Sequence, residues 1–145
     1  MADIPFEEIR HGDELLAIII GGAYRSAQTR FFSPPGFSQQ VGYLAHARGH
    51  TIEAHFHRQI QREIIFTQEV LLIRRGRLRV NFYDERRKFV TARELTAGDT
   101  LFLCSGGHGF KILEDTEMIE VKQGPYSGRG SDKENFIGVE DDPGQ

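Results

Sequence analysis

The chain has 145 residues, 39% hydrophobic and 27% charged, and a formal net charge of −3. That length fits one domain able to bury its own core, and the composition is that of a globular protein. Eighteen basic against 21 acidic residues argue against a broad electrostatic role on nucleic acid.

A local cluster of Arg74, Arg75, Arg77, Arg79, Arg86, Arg87 and Lys88 alternates with apolar residues, as the solvated faces of a hairpin do. Cys104 is the only cysteine, so no intrachain disulfide forms, as expected in a reducing compartment. The start Met1-Ala2-Asp3-Ile4-Pro5 lacks the basic region and apolar run of a secretory signal. Leu15 to Ile20, the longest strongly apolar stretch, is too short to cross a bilayer. The expectation is a cytoplasmic protein with neither a nucleic-acid nor a membrane partner.

Along the chain, Asp3 to Gly12 reads as a short helical turn. Leu15 to Ile20 is a β-branched strand ended by Gly21-Gly22, and Ser33-Pro34-Pro35-Gly36 is a loop. Gln40 to Ala47 and Thr51 to His57 read as neighbouring strands around a turn at Arg48-Gly49. Glu69 to Ile73 and Leu78 to Tyr83 read as a hairpin joined through Arg74-Arg75-Gly76-Arg77. After a turn at Asp84-Glu85-Arg86 come Phe89 to Thr91 and Arg93 to Leu95. A further turn at Ala97-Gly98-Asp99 precedes Thr100 to Leu103, Gly109 to Leu113 and Met118 to Lys122. Many short strands and no long helical period predict an all-β sandwich or barrel.

His55-Phe56-His57 carries the first chemical signal. On a strand, residues two apart share a face, so both imidazoles project together and can give two nitrogens to one metal ion. Pairs at this spacing also occur as ordinary surface or core residues, so the pair alone does not assign a metal.

Its surroundings add a second signal. Gly49 precedes His55 by five intervening residues, and six separate Glu69 from Gly76. Together with Gly98-Asp99-Thr100-Leu101-Phe102-Leu103-Cys104-Ser105-Gly106-Gly107-His108, these segments resemble the two motifs of the cupin superfamily, over roughly residues 40 to 122. The resemblance implies a double-stranded β-helix, a jelly-roll-like barrel of two antiparallel sheets. Residues 1–35 would form N-terminal strands and a lead-in, 36–126 the barrel, and 127–145 a tail whose final residues are disordered. It also implies that His55, His57, Glu69 and His108 hold one divalent transition metal inside the barrel. Fe, Mn, Zn, Ni or Co would each suit three imidazoles and a carboxylate.

The chain departs from that pattern in places. Eleven residues separate His57 from Glu69, where the family usually has three or four, so Arg58 to Gln68 would bulge or form a lip over the cup. The second motif has Cys104 in place of proline, is one residue short before His108, and has Ile112 where asparagine is common. Gln61 and Glu63 are rival oxygen ligands; Glu69 is preferred for its distance to Gly76.

Strand parity from His108 turns Phe110 and Ile112 into the cup and Lys111 outward. Cys104 reads either as a small core residue or as a reactive thiol near His108. Glu53, which shares the parity of His55, and Glu63, in the insertion, are the candidate catalytic carboxylates. Ordinary exposed side chains explain both equally well. His11, His46 and His50 fit no ligand pattern.

These features imply a metal-dependent enzyme acting on a small polar substrate such as a sugar or a keto or hydroxy acid, by Lewis-acid isomerisation. No nucleotide-binding glycine loop is visible, so no organic cofactor is expected. The alternatives are an Fe(II) dioxygenase with the same ligands and a non-catalytic small-molecule-binding module. The segment Lys122 to Tyr126, with Asp132-Lys133, is similar to the tail of small bacterial cupins associated with surface-polysaccharide synthesis. A homodimer is expected, because barrels resembling cupins pair through edge strands and Leu15 to Ile20 is apolar enough to add to a partner sheet.

Overall fold

The computed structural model describes residues 5–128, 130 and 132–141. These form ten strands, a single 3₁₀ turn at Val139–Asp141 and no α-helix. No helix among them is long and apolar enough to cross a membrane. The chain divides into two compact units, Met1–Tyr24 with Thr67–Gln145, and Arg25–Phe66.

The first unit holds two antiparallel sheets. One has five strands: β1 (Phe6–His11), β2 (Glu14–Ile20), β8 (Thr100–Leu103), β5 (Glu69–Arg75) and β10 (Glu117–Lys122), in that order across the sheet. The other has three, in the order β7 (Phe89–Thr96), β6 (Arg77–Tyr83) and β9 (Gly107–Ile112). One apolar core lies between them. Ala17, Ile19, Leu71, Ile73, Leu101 and Leu103 come from the first sheet, and Leu78, Val80, Phe82 and Leu95 from the second. The expectation of an all-β protein built of antiparallel sheets therefore holds, in the form of a sandwich. No strand pair joins the two sheets into a closed barrel among the described residues.

Three local expectations change. The helical turn over Asp3 to Gly12 is instead β1, which pairs along β2 through Gly12-Asp13 and buries Ile9; Asp3 and Ile4 lie outside the described residues. The apolar surface of β2 offers an extended partner, and a lone helical turn would leave it uncovered. β2 is itself paired on both sides, by β1 and β8, so Leu15 to Ile20 has no open edge to add to a partner sheet.

The expected hairpin through Gly76 does not pair with itself. β5 joins the five-stranded sheet and β6 the three-stranded one, so Arg74 to Arg77 is a corner between layers. Glycine is required there. Gly76 has φ +92°, and a Cβ would collide with the carbonyl oxygen of Asp115. The true hairpin is β6–β7, closed by Asp84, whose carboxylate accepts the N–H groups of Arg86 and Lys88, both at 2.9 Å. At the far edge of the sandwich, Arg93 on β7 grips Glu7 on β1 with guanidinium–carboxylate distances of 2.6 to 3.0 Å.

Residues 132–141 pack on the three-stranded sheet. The Phe136 ring meets the Tyr83 ring edge-on at 5.0 Å, and the Arg87 guanidinium lies 5.6 Å from the Phe136 centroid. The final residues 142–145, expected to be disordered, lie outside the described residues.

The second unit has one short ladder, β3 (Arg30–Phe31) with β4 (Gly42–Tyr43). Its connecting loop is tied by Ser33, which donates to Gln40 Oε1 at 2.8 Å and accepts the N–H of Val41 at 2.9 Å. The turn expected at Arg48-Gly49 is present. The flanking strands are not: only Gly42–Tyr43 of the first forms, and Thr51 to His57 is irregular. A strand exists only where a neighbour takes its backbone N–H and C=O groups. Residues 46–66 are exposed throughout, and their backbone has water for that purpose instead.

Candidate functional site

β5 alternates Glu69, Leu71 and Ile73 toward the core and Val70 and Leu72 away from it. Leu71 and Ile73 are buried, while Glu69, one step nearer the open end, carries the same face out to the mouth of the sandwich. The ladder sets Lys122 opposite Glu69 and Glu120 opposite Leu71, so both β10 side chains share that inward face. From the other sheet, β9 pairs His108 with Phe82 and Phe110 with Val80, placing His108 and Phe110 on the inward face as well. Lys111 pairs with Arg79 on the opposite face, as parity from His108 predicts.

The two sheets bring Glu69 and His108 together. His108 Nε2 stands 3.5 Å from Glu69 Oε2. The neighbouring imidazole holds the Glu69 carboxyl below the usual carboxylate range; burial works against this, and a hydrogen bond with Glu120 assists it. Glu120 moves the opposite way. Burial raises its carboxyl first, and the adjacent Glu69 raises it further. The opposite shifts favour the ionised form at Glu69 and, of the two carboxyls, the protonated form at Glu120.

These groups open onto a cleft of about 720 Å³ within the first unit, walled on one side by residues 132–136 and 140–141. Six carboxyl groups line it (Glu69, Glu120, Asp132, Glu134, Glu140 and Asp141) against Lys122 and Lys133, so the cleft attracts cations. Phe110 gives it an apolar patch, with its ring 5.6 Å from that of His108.

Glu140 anchors the wall. Its carboxylate accepts hydrogen bonds from the Tyr83 hydroxyl and, at 3.1 Å, from Asn81 Nδ2. Tyr83 and Asn81 are almost wholly buried. Burial, with Glu140 beside it, pushes the Tyr83 phenol up to about 12. Gly109 and Gly138 clear the seat, since a Cβ at either would run into the Glu140 carboxylate.

The other candidates lie in the second unit. His55 and His57 stand side by side, ring centroids 5.4 Å apart and nearly perpendicular, on exposed irregular backbone. His55 Nδ1 is 2.7 Å from the carbonyl oxygen of Glu53. Glu53, Gln61 and Glu63 are exposed. His46 and His50, which fit no ligand pattern, stack on each other at 4.7 Å. The four residues expected to bind metal are therefore held as two pairs, one in each unit. Among the described residues no group of three or more His, Cys, Asp or Glu side chains is gathered closely enough to hold a metal ion.

Cys104 is a core residue. It is buried, and burial pushes its thiol up to about 12, which removes the reactive-thiol alternative. Glu120, Lys122 and Glu140 were missed by sequence reasoning. A signal for Glu120 exists in the alternation of Met118, Glu120 and Lys122, which puts two charges on the face of an inward methionine. For Glu140 there is none, because its partners lie more than fifty residues upstream. No protein-family model, curated protein or solved structure matches the chain.

Proposed function

We propose that this chain is a cupin-like, double-stranded β-helix protein that binds one divalent transition metal through His55, His57, Glu69 and His108. Its substrate is a small polar molecule such as a sugar or a keto or hydroxy acid. The observation that carries the reading is the meeting of Glu69 and His108, from opposite sheets, at the mouth of a cation-attracting cleft. Their chemistry fits a metal. Glu69 is held ionised, as a ligand carboxylate must be. Two donors each about 2.1 Å from one ion stand about 3 Å apart, near the spacing seen here. The His55–His57 pair supplies two further imidazoles close to each other.

A bound ion would polarise a substrate carbonyl and stabilise an enediolate, the chemistry of an isomerase. The chain's own groups would orient the substrate. Glu120 presents a carboxyl beside Glu69, Lys122 offers a cation to a substrate oxyanion, and Phe110 packs against carbon. Glu53 and Glu63 are the proton-transfer candidates from the second unit, and Glu120 joins them.

Titration of metal-stripped protein with Co(II), followed through its visible d–d absorption, tests the ligand set. Wild type is expected to saturate at one ion per chain with a spectrum altered by each of His55→Ala, His57→Ala, Glu69→Ala and His108→Ala. Identical spectra and affinities in all four variants would refute the assignment.

A further inference from the structure

Two large apolar surfaces of this chain are left open to solvent, one in each unit. In the second unit, Ile52, Phe56, Ile60, Ile64, Ile65 and Phe66 are 46–87% exposed within fifteen residues. In the first, the outward face of the five-stranded sheet ends at its β10 edge in Leu72, Ile119 and Val121, each 38–50% exposed. Leu72 stands directly opposite Ile119, and Val70 opposite Val121, so these side chains form one continuous patch.

We propose that residues 52–66 are an arm that packs on the Leu72–Ile119–Val121 face of a second copy of this chain, with the reciprocal contact completing a two-fold dimer. Three observations select a second copy as the occupant. Donor and acceptor surfaces are both on this chain, so one two-fold axis satisfies both and leaves no open end. The six arm side chains, with the three on the sheet, expose on the order of 800 Å² of apolar surface, about what each partner of a stable interface buries. The arm's charges cancel, Glu53 and Glu63 against Arg58 and Arg62, so it offers nothing specific to nucleic acid or an anionic membrane.

His55 and His57 lie within the arm, but the apolar side chains that carry the contact are none of the four proposed ligands, so substitutions at them test the contact apart from the metal. The contact also differs from pairing through Leu15 to Ile20, which lies inside the sheet.

Sedimentation velocity at micromolar concentration tests the proposal. Wild type is expected to run as a dimer, and Phe56→Asp and Ile119→Asp each as a monomer with unchanged circular dichroism and a melting temperature that no longer rises with protein concentration. As a second arm, Ile60→Cys and Ile119→Cys proteins are mixed and oxidised, the native Cys104 being buried. A disulfide joining residue 60 of one chain to residue 119 of the other is expected. A monomeric wild type would overturn the proposal, as would a dimer that survives both aspartates. So would a protein carrying both cysteines that cross-links only within its own chain.

Discussion

His108 Nε2 stands 3.5 Å from Glu69 Oε2, and the two side chains come from opposite sheets of the sandwich. On β5 the core ends at Leu71 and the next residue of that face is Glu69; on β9 His108 stands opposite the buried Phe82. A pair placed this way reports on the opening of the two layers as well as on any ligand between them.

The Glu69 carboxyl is lowered from its ordinary 4.5, chiefly by His108. The folded protein therefore holds that proton more weakly than the unfolded chain. Its stabilisation is complete above pH 4.5 and is lost as pH falls through the depressed folded value. Urea unfolding of wild type and Glu69→Gln should show a constant difference near neutrality that shrinks below pH 4.5. In His108→Ala, carboxyl carbon NMR should find the Glu69 titration moved upward. An unshifted titration in wild type would contradict this picture.

Glu140 holds residues 132–141 to the sheet through Tyr83 and Asn81. Hydrogen bonds to a charged group contribute about 1.5–3 kcal/mol each, so losing both in Glu140→Ala should cost about 3 kcal/mol or more. Limited proteolysis should cut the segment after residue 127 faster. Gly109→Ala should do the same, because its methyl group occupies the carboxylate's seat. Equal cleavage rates in wild type and both variants would show that the segment is not anchored there.

Tyr83 supplies a pH test at the alkaline end. Its phenol is pushed up to about 12 from 10.0, so the folded state resists its ionisation. Stability from this group is full below pH 10 and lost as pH rises toward 12. Ultraviolet titration should find one of the four tyrosines ionising late, and Tyr83→Phe should remove that late step.

Cys104 is expected to be inert in the folded protein, because burial both covers it and pushes its thiol up to about 12. Ellman's reagent at pH 8 should label no thiol until denaturant is added, and then one per chain.

Strand parity made much of the site legible. The run from His108 to Ile112 correctly turned Phe110 inward and Lys111 outward, because alternation fixes a strand's faces wherever one of them is buried. Gly76 was legible as a position of special conformation, but not as a corner. Period-two alternation says which way a side chain points and nothing about which strand lies beside it, so β5 and β6 read as partners while belonging to different sheets.

Residues 51–57 show the converse limit. Their alternation suits a strand, yet no ladder forms over them, since a ladder depends on a neighbour and not on pattern alone. The wall made by Phe136 and Glu140 depends on Tyr83 and Asn81, far upstream, and a polar, glycine-containing stretch carries no mark of that.

We propose that one divalent transition metal is bound by His55, His57, Glu69 and His108. Elemental analysis after loading and exhaustive dialysis tests it most directly. Close to one Fe, Mn, Co, Ni or Zn ion per chain is expected in wild type, and a large loss in each of the four alanine variants. A wild type that retains no metal, or variants that retain as much as wild type, would contradict it.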